Sequence, residues 1–348
     1  MECGGLTPLS SSPARRAAVG GLLMVFLVNG GLLCAAETNA ITILEPWSNV
    51  FGGKESVFHV SVTGPGMANG RLGWQLAADG RTLARGEAAI DVGASGLGSV
   101  ALRIAVPAVK AGVILSTRLQ ILALDSGREV GRCEKPLWVF PEDPFAGRSE
   151  WLKSLKIKLF DPTGKTGKRF AVVGVPCTEI RSMDSLAAIK DGLVVIGEGI
   201  SFREYRGLAG SMNKAAAGGA RVLCLAPEAG EVPLPFAGSG ETTAPSSIKF
   251  EREEAVTRLD KRLDPTGWAP DGTSRVAGFA ITGERGPVKA EVGNDPGNWS
   301  WIEADYAGSK GKCIMCGLGI VGKWDDSPTP RFLLVKLLEE VSGNKIRD

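Results

Sequence analysis

The chain has 348 residues, 44% of them hydrophobic, and a net charge of +2. After an N-terminal leader that length leaves room for two domains of ~150 residues. So small a charge excludes a strongly basic nucleic-acid binder or a protein held to acidic lipid by charge.

Arg15 and Arg16 precede an apolar run, Ala17 to Ala36, that closes on the small residues Cys34 and Ala36. This pattern reads as a signal peptide over residues 1–36, cleaved after Ala36. An exported protein, periplasmic or extracellular, is the expectation. The alternative is an N-terminal membrane anchor, since ~20 apolar residues span a bilayer. Cys133, Cys177, Cys224, Cys313 and Cys316 remain after cleavage. An odd number argues against a disulfide framework and for buried free thiols.

Residues 40–141 carry short β signals. Val57 to Val62 is one run, and Leu72-Gly73-Trp74-Gln75-Leu76 alternates into the turn Asp79-Gly80 and on to Thr82-Leu83-Ala84. Val100 to Ile104, Leu115 to Leu124, Glu129 to Cys133 and Leu137 to Phe140 follow, with turn residues about every ten positions. That spacing predicts an antiparallel, immunoglobulin-like β-sandwich. Residues 142–150 form a linker by composition.

From residue 151 to 343 strands alternate with helices. Strands are predicted at Leu155 to Phe160 and Cys177 to Ile180, with a helix over Gly164 to Val173 between them. Ser182 caps a helix running through Ile189. The strand in Asp191-Gly192-Leu193-Val194-Val195-Ile196-Gly197-Glu198-Gly199 is apolar on both faces. It therefore belongs in the middle of a parallel sheet covered on both sides. A helix over Phe202 to Ala217 and a strand over Ala220 to Ala226 complete a doubly wound, flavodoxin-like α/β core. Residues 229–258 are poor in signals. Strands resume at Arg275 to Ile281, Val288 to Val292, Trp299 to Ala304 and Lys312 to Gly317. A helix over Thr329 to Val341, with Phe332, Leu333, Val335, Leu337 and Leu338 as its stripe, docks on the sheet.

Taken together, the segments Leu72-x-Trp74-x-Leu76, Asp79-Gly80-Arg81-x-Leu83-Ala84 and Leu137-Trp138-Val139-Phe140-Pro141 resemble the immunoglobulin-like sandwich near the C-terminus of β-galactosidase-type glycoside hydrolases. Leu159-Phe160-Asp161-Pro162-x-Gly164-Lys165-Thr166, Asp191 to Gly197 and Gly218-Gly219-x-Arg221-Val222-Leu223 resemble the glutamine-amidotransferase-like, or trimerisation, domain that follows it. The hydrolytic barrel of those enzymes is absent. The resemblance implies an accessory domain pair without its catalyst.

Residue chemistry points the same way. A working amidotransferase needs a cysteine on the sharp turn after the fourth strand and a histidine to take its proton. Here the elbow position falls on Ala226, Cys224 lies inside the strand, and the single histidine, His59, belongs to the other domain. Asp161 to Thr166 is a poor phosphate loop, with Leu159 where a glycine is needed and Pro162 lacking a donor. It reads instead as a turn capped by Asp161 or Thr163. Cys313 and Cys316 sit within one strand, which sends their thiols to opposite faces, and no second pair exists to complete a metal site. The run Lys153, Lys156, Lys158, Lys165, Lys168 and Arg169 reads as a solvated face.

Asp161, Glu198 and Glu228 each end a predicted parallel strand and should cluster on one rim. Such acids can cleave a glycosidic bond, hold a cation, or simply cap the helices that follow. Among the tryptophans, Trp299 and Trp301 alternate on one strand and read as core. Trp268 and Trp324, beside turns and near Asp325, are the better ligand-binding candidates. The expectation is an exported, non-catalytic structural or interaction protein with no cofactor. Carbohydrate, self-association or another envelope protein is its partner, and nucleic acid is not. The alternative is a carbohydrate-active hydrolase working through Asp161, Glu198 and Glu228.

Overall fold

The computed structural model describes residues 39–228, 232–233, 245–280, 299–306 and 309–343. The first half holds β1 (Ala40–Ile43), β2 (Asn49–Phe51), β3 (Glu55–Thr63), β4 (Met67–Ala78), β5 (Arg81–Val92), β6 (Leu97–Ala105), β7 (Leu115–Asp125) and β8 (Arg128–Phe140). They form a three-stranded sheet, β1-β3-β6, and a five-stranded sheet, β2-β8-β7-β4-β5. Both contribute to one apolar core. Phe58, Val60, Val62 and Leu102 come from the first, and Leu72, Leu76, Leu119 and Ile121 from the second. On β3 the apolar residues alternate with His59, which therefore points outward.

Two hairpin turns follow from their sequences. Asp79 and Gly80 both take positive φ (47° and 76°), as do Ser126 and Gly127 (49° and 82°). Paired positive φ is the backbone twist that two-residue hairpins require. Gly86 serves a different need. It lies directly opposite Trp74, and a Cβ there would stand 2.6 Å from the indole, so the ring lies flat over the strand. The two strands expected over 129–133 and 137–140 are one continuous β8, running through Pro136. Trp138 N–H donates to Ser48 O. Pro136, two residues earlier, turns its missing donor toward the same side, beyond the end of β2, where no ladder bond is lost.

The second half holds α1 (Ser149–Ser154), β9 (Ile157–Phe160), α2 (Lys165–Val172), β10 (Cys177–Glu179), α3 (Met183–Ala187), β11 (Leu193–Ile196), α4 (Leu208–Ala217) and β12 (Arg221–Cys224). After these come β13 (Val232–Pro233), β14 (Ser247–Glu251), α5 (Glu254–Leu259), β15 (Phe279–Ala280), β16 (Trp301–Asp305), β17 (Lys312–Cys316) and α6 (Pro328–Ser342). A mixed sheet runs β10-β9-β11-β12-β17-β16-β14, and β13 pairs with β15. The first five strands of the mixed sheet are mutually parallel, and β16 is antiparallel to both its neighbours.

All four residues of β11 are buried, as an apolar strand flanked by layers must be. Leu193 and Val195 face one core with Phe170 of α2 and Leu333, Leu334 and Leu337 of α6. Val194 and Ile196 face the other, with Leu186 of α3 and Met212 of α4. Each such buried side chain is worth ~1.5–3 kcal/mol, which fixes α6 against the sheet. Cys313 and Cys316 lie in opposite cores, as their odd spacing predicts. Burial pushes both thiols up to about 12.

Several expectations are corrected. The helix expected from Phe202 begins only at Leu208, because Gly207 adopts φ 95° and interrupts it. β14 and most of α5 fall in the stretch that is poor in signals, and Ile248 and Phe250 alternate onto the core. Of the strand expected over residues 275–281, the described part, 275–280, forms only β15 and an isolated bridge at Arg275. Trp299 and Trp301 do not share a layer. Trp301 enters one core and Trp299 packs on the other beside Phe250, because the chain bends at Ser300. The leader, residues 1–36, and the strand expected over 288–292 lie outside the described residues.

The linker is packed rather than free. Phe145 is buried, Arg148 pairs with Glu339 of α6 at 2.6 Å, and Glu142 O accepts from Arg331. The halves are clasped a second time by Asp264, whose Oδ2 accepts from Ser48 N–H and Asn49 N–H at 2.9 Å each. Burial raises this carboxyl to about 6 despite those two bonds. The folded chain therefore holds the proton more tightly than the unfolded one, whose usual value is 3.8. Asp264 thus costs nothing below about pH 4, and its contribution to stability falls by roughly 3 kcal/mol as pH rises through its folded value. Asp264→Asn should flatten this part of the stability profile between pH 4 and pH 7, followed by denaturant midpoint. A variant that keeps the wild-type slope would remove Asp264 from the account.

Candidate functional site

β9 and β11 are the neighbours from which the chain leaves to opposite faces, through α2 and α4. In open α/β sheets the carboxyl ends of such a pair frame a crevice. Asp161 follows β9 and Glu198 follows β11, so both stand at this edge. A Cβ on Gly197 would stand 2.7 Å from Asp161 Oδ1, so only glycine fits. Gly199 then turns the chain with φ 80°.

Both carboxylates are already engaged. Asp161 Oδ2 accepts from Gly167 N–H in the first turn of α2, and Oδ1 accepts from Thr163 Oγ1, each at 2.8 Å. It is a cap, and it occupies a donor that a phosphate would need. Glu198 Oε2 accepts from Ile320 N–H and Val321 N–H at 2.7 Å each, while Oε1 accepts from Gly322 N–H at 2.8 Å. Its own N–H donates to Thr166 Oγ1 at 2.8 Å. Burial raises the Glu198 carboxyl in spite of those three bonds and nearby Lys165. Glu228 does not join them. Its side chain is exposed, and its backbone N–H donates to Ile200 O. The rim thus carries two of the three expected acids on neighbouring strands and uses both to hold backbone.

At the positions where amidotransferase chemistry would sit, the described residues are packed. Ala226 is buried, its carbonyl accepts from Gly199 N–H, and it lacks the positive φ of a strained elbow. Cys224 is sealed inside the strand and burial drives its thiol well up. His59 pairs with a carboxylate, its Nδ1 lying 2.7 Å from Glu45 Oε1. No group of three or more potential metal ligands forms among the described residues.

The tryptophan candidates are corrected by burial. Trp268 is 0% exposed and its Nε1–H donates to Asp264 O at 2.7 Å. Trp324 is 1% exposed, stacked with Phe145 at 6.4 Å and flanked by the guanidiniums of Arg169 and Arg331. Both are core, where turn residues on either side disguised them. Asp325 is exposed and bound by the same two arginines, at 2.7 Å to Arg169 and 3.3 Å to Arg331.

Asp325 does line a cleft, and sequence reasoning missed it. About 380 Å³ opens between the halves, walled by Glu45, Trp47 and His59 from the first and by Pro270, Asp325 and Asp326 from the second. Nothing in the local sequence marks residues so far apart as neighbours. Glu45 carried no motif, yet it is 6% exposed and accepts from both the N–H and the ring of His59.

No known protein family matches the sequence, and no curated protein does. Some solved structures are similar in part. A Bifidobacterium dentium β-glucuronidase complexed with coumarin-3-O-glucuronide matches over 69% of this chain and 43% of its own, at 11% identity and TM-score 0.21. A Paenibacillus cycloisomaltooligosaccharide glucanotransferase, complexed with cycloisomaltoheptaose, matches over 53% and 27%, at 9% identity and TM-score 0.24. A sporulation control protein of Bacillus subtilis matches over 34% and 55%, at 14% identity and TM-score 0.22. The chain spans less than two thirds of each. Likeness this weak carries no statement about activity.

Glu198→Ala should cost about 3 kcal/mol or more, since donors stranded by a lost acceptor cost ~1–3 kcal/mol each. Glu198→Gln, which keeps one acceptor oxygen, should cost less. Urea midpoints at constant slope measure both. A change within about 0.5 kcal/mol for the alanine variant would mean the 320–322 loop is held by something else.

Proposed function

We propose that the chain is an exported, non-catalytic interaction module built as the accessory region of large glycosidases is built. In this reading the first half is an immunoglobulin-like sandwich and the second a flavodoxin-like domain of the glutamine-amidotransferase type. The order β10-β9-β11-β12 supports the second assignment, because in chain order it reads 2-1-3-4, as flavodoxin-like sheets do. The first is supported by two facing sheets of three and five strands joined mostly by antiparallel pairs. Carbohydrate is the partner class this reading favours.

The observation that carries the proposal is the engagement of the rim. Glu198 spends both oxygens on three backbone N–H groups, and Asp161 caps a helix. A general acid or nucleophile needs an oxygen facing its substrate. The competing reading, a hydrolase acting through Asp161 and Glu198, keeps one point in its favour: the two acids follow neighbouring strands.

The test is incubation of the purified mature chain with plant and bacterial polysaccharides and aryl glycosides. No reducing sugar or aryl alcohol should be released. Release by the wild type that disappears in Asp161→Asn would establish the hydrolase instead. Export is checked separately by sequencing the N-terminus of protein secreted from a host with a general secretion pathway. Residue 37 should come first, and retention of Met1 would favour the anchored alternative.

A further inference from the structure

In the cleft between the halves, side chains from both converge with polar atoms left free. We infer that it binds a neutral saccharide, an inference that rests on the carbohydrate reading above. Its size, about 380 Å³, falls at the small end of ligand sites, which run ~300–1,000 Å³. That suits a short saccharide rather than a polymer laid along a groove.

The lining argues the class. Four carboxylates line the cleft against one lysine. Arg169 and Arg331 meet Asp325 and Arg103 meets Glu55, which leaves Asp326 as the uncompensated acid and disfavours an acidic ligand beside it. Glu45, buried beneath His59, accepts from the ring at Nδ1. That engages Nδ1 and leaves Nε2 free to bond a hydroxyl, which can donate or accept, on a side chain that is 58% exposed. Asp326 is exposed, and its carboxylate makes no bond or ion pair among the described residues. It offers charge-assisted acceptance to vicinal hydroxyls. Asp325 is different, since its charge is met by Arg169 and Arg331. Trp47 supplies an amphipathic aromatic wall, half-buried, of the kind that packs on apolar ring faces. Asn49 adds one more unmet group. Its Nδ2 donates to Thr329 Oγ1, but its buried Oδ1 has no donor among the described residues.

A cation is a poor occupant, because no three potential ligands converge among the described residues. A sugar hydroxyl is both donor and acceptor and answers free acceptors without bringing charge. Recognition of this kind places the ligand where each half supplies one side, and neither half forms the site alone.

The experiment is isothermal titration of the mature chain with neutral gluco-, galacto-, manno- and xylo-oligosaccharides, and with an oligogalacturonide as the acidic comparator. At least one neutral series should bind. Trp47→Ala and Asp326→Asn should each weaken it by about tenfold or more, the scale of a central contact. Gln120→Ala, on the far face of the five-stranded sheet, should leave it unchanged. Asp326→Asn alters only an exposed side chain, so it reports on binding even if Trp47→Ala fails to fold. Binding that survives Asp326→Asn and His59→Gln undiminished would overturn the cleft while leaving the carbohydrate reading standing. Binding of the oligogalacturonide alone would overturn the ligand class. Failure of every saccharide to bind the wild type would overturn both this inference and the carbohydrate part of the proposed function.

Discussion

A carboxylate taken out of water must find donors, or it gives up its charge. Glu198 finds three in succession, at Ile320, Val321 and Gly322. They belong to the segment that leads from β17 toward α6, so one side chain after the central strand sets where the last helix begins. The cost of burying that acid is offset only while the loop stays in place. The same bonds that order the rim occupy both oxygens of Glu198.

The junction between the halves obeys the same rule with different groups. Arg331 lies 4.4 Å from the Phe51 ring centroid and donates to the carbonyls of Trp324 and Glu142 and to the Asp325 carboxylate. An arginine buried to this degree needs its fork of donors filled. Here backbone from the linker and from the approach to α6 fills it. Trp324, which looks like a surface aromatic when only its neighbours Lys323 and Asp325 are considered, is the floor on which that arginine rests.

What could be seen in advance was whatever one short window decides. Leu193 to Ile196 announced a two-sided burial, Asp79-Gly80 a hairpin, and Cys313 with Cys316 a split between faces. Each depends on strand period or on local φ. What escaped depended on a distant partner or on a single backbone angle. Gly207 cut short a helix that residue composition favoured. Trp268 and Trp324 were judged by flanking turns, whereas tertiary packing decided their exposure. Ile248 and Phe250 alternate plainly and could have been read as β14. The cleft could not, because Trp47 and Asp326 have no relation until the halves dock.

The reach of the β2 contacts bears on how the molecule is made. Asn49 N–H is met by Asp264, and Asn49 Nδ2 by Thr329, across 215 and 280 positions of chain. Loops of that length close late, after local hairpins have formed. On a ribosome or behind a translocation pore, the near end of the polypeptide would wait for nearly the whole length to emerge before its second strand could settle. The seam between the halves thus draws on the far end of the chain, and a product truncated ahead of Thr329 would keep the Asp264 clasp but lose the hydroxyl that Asn49 Nδ2 donates to.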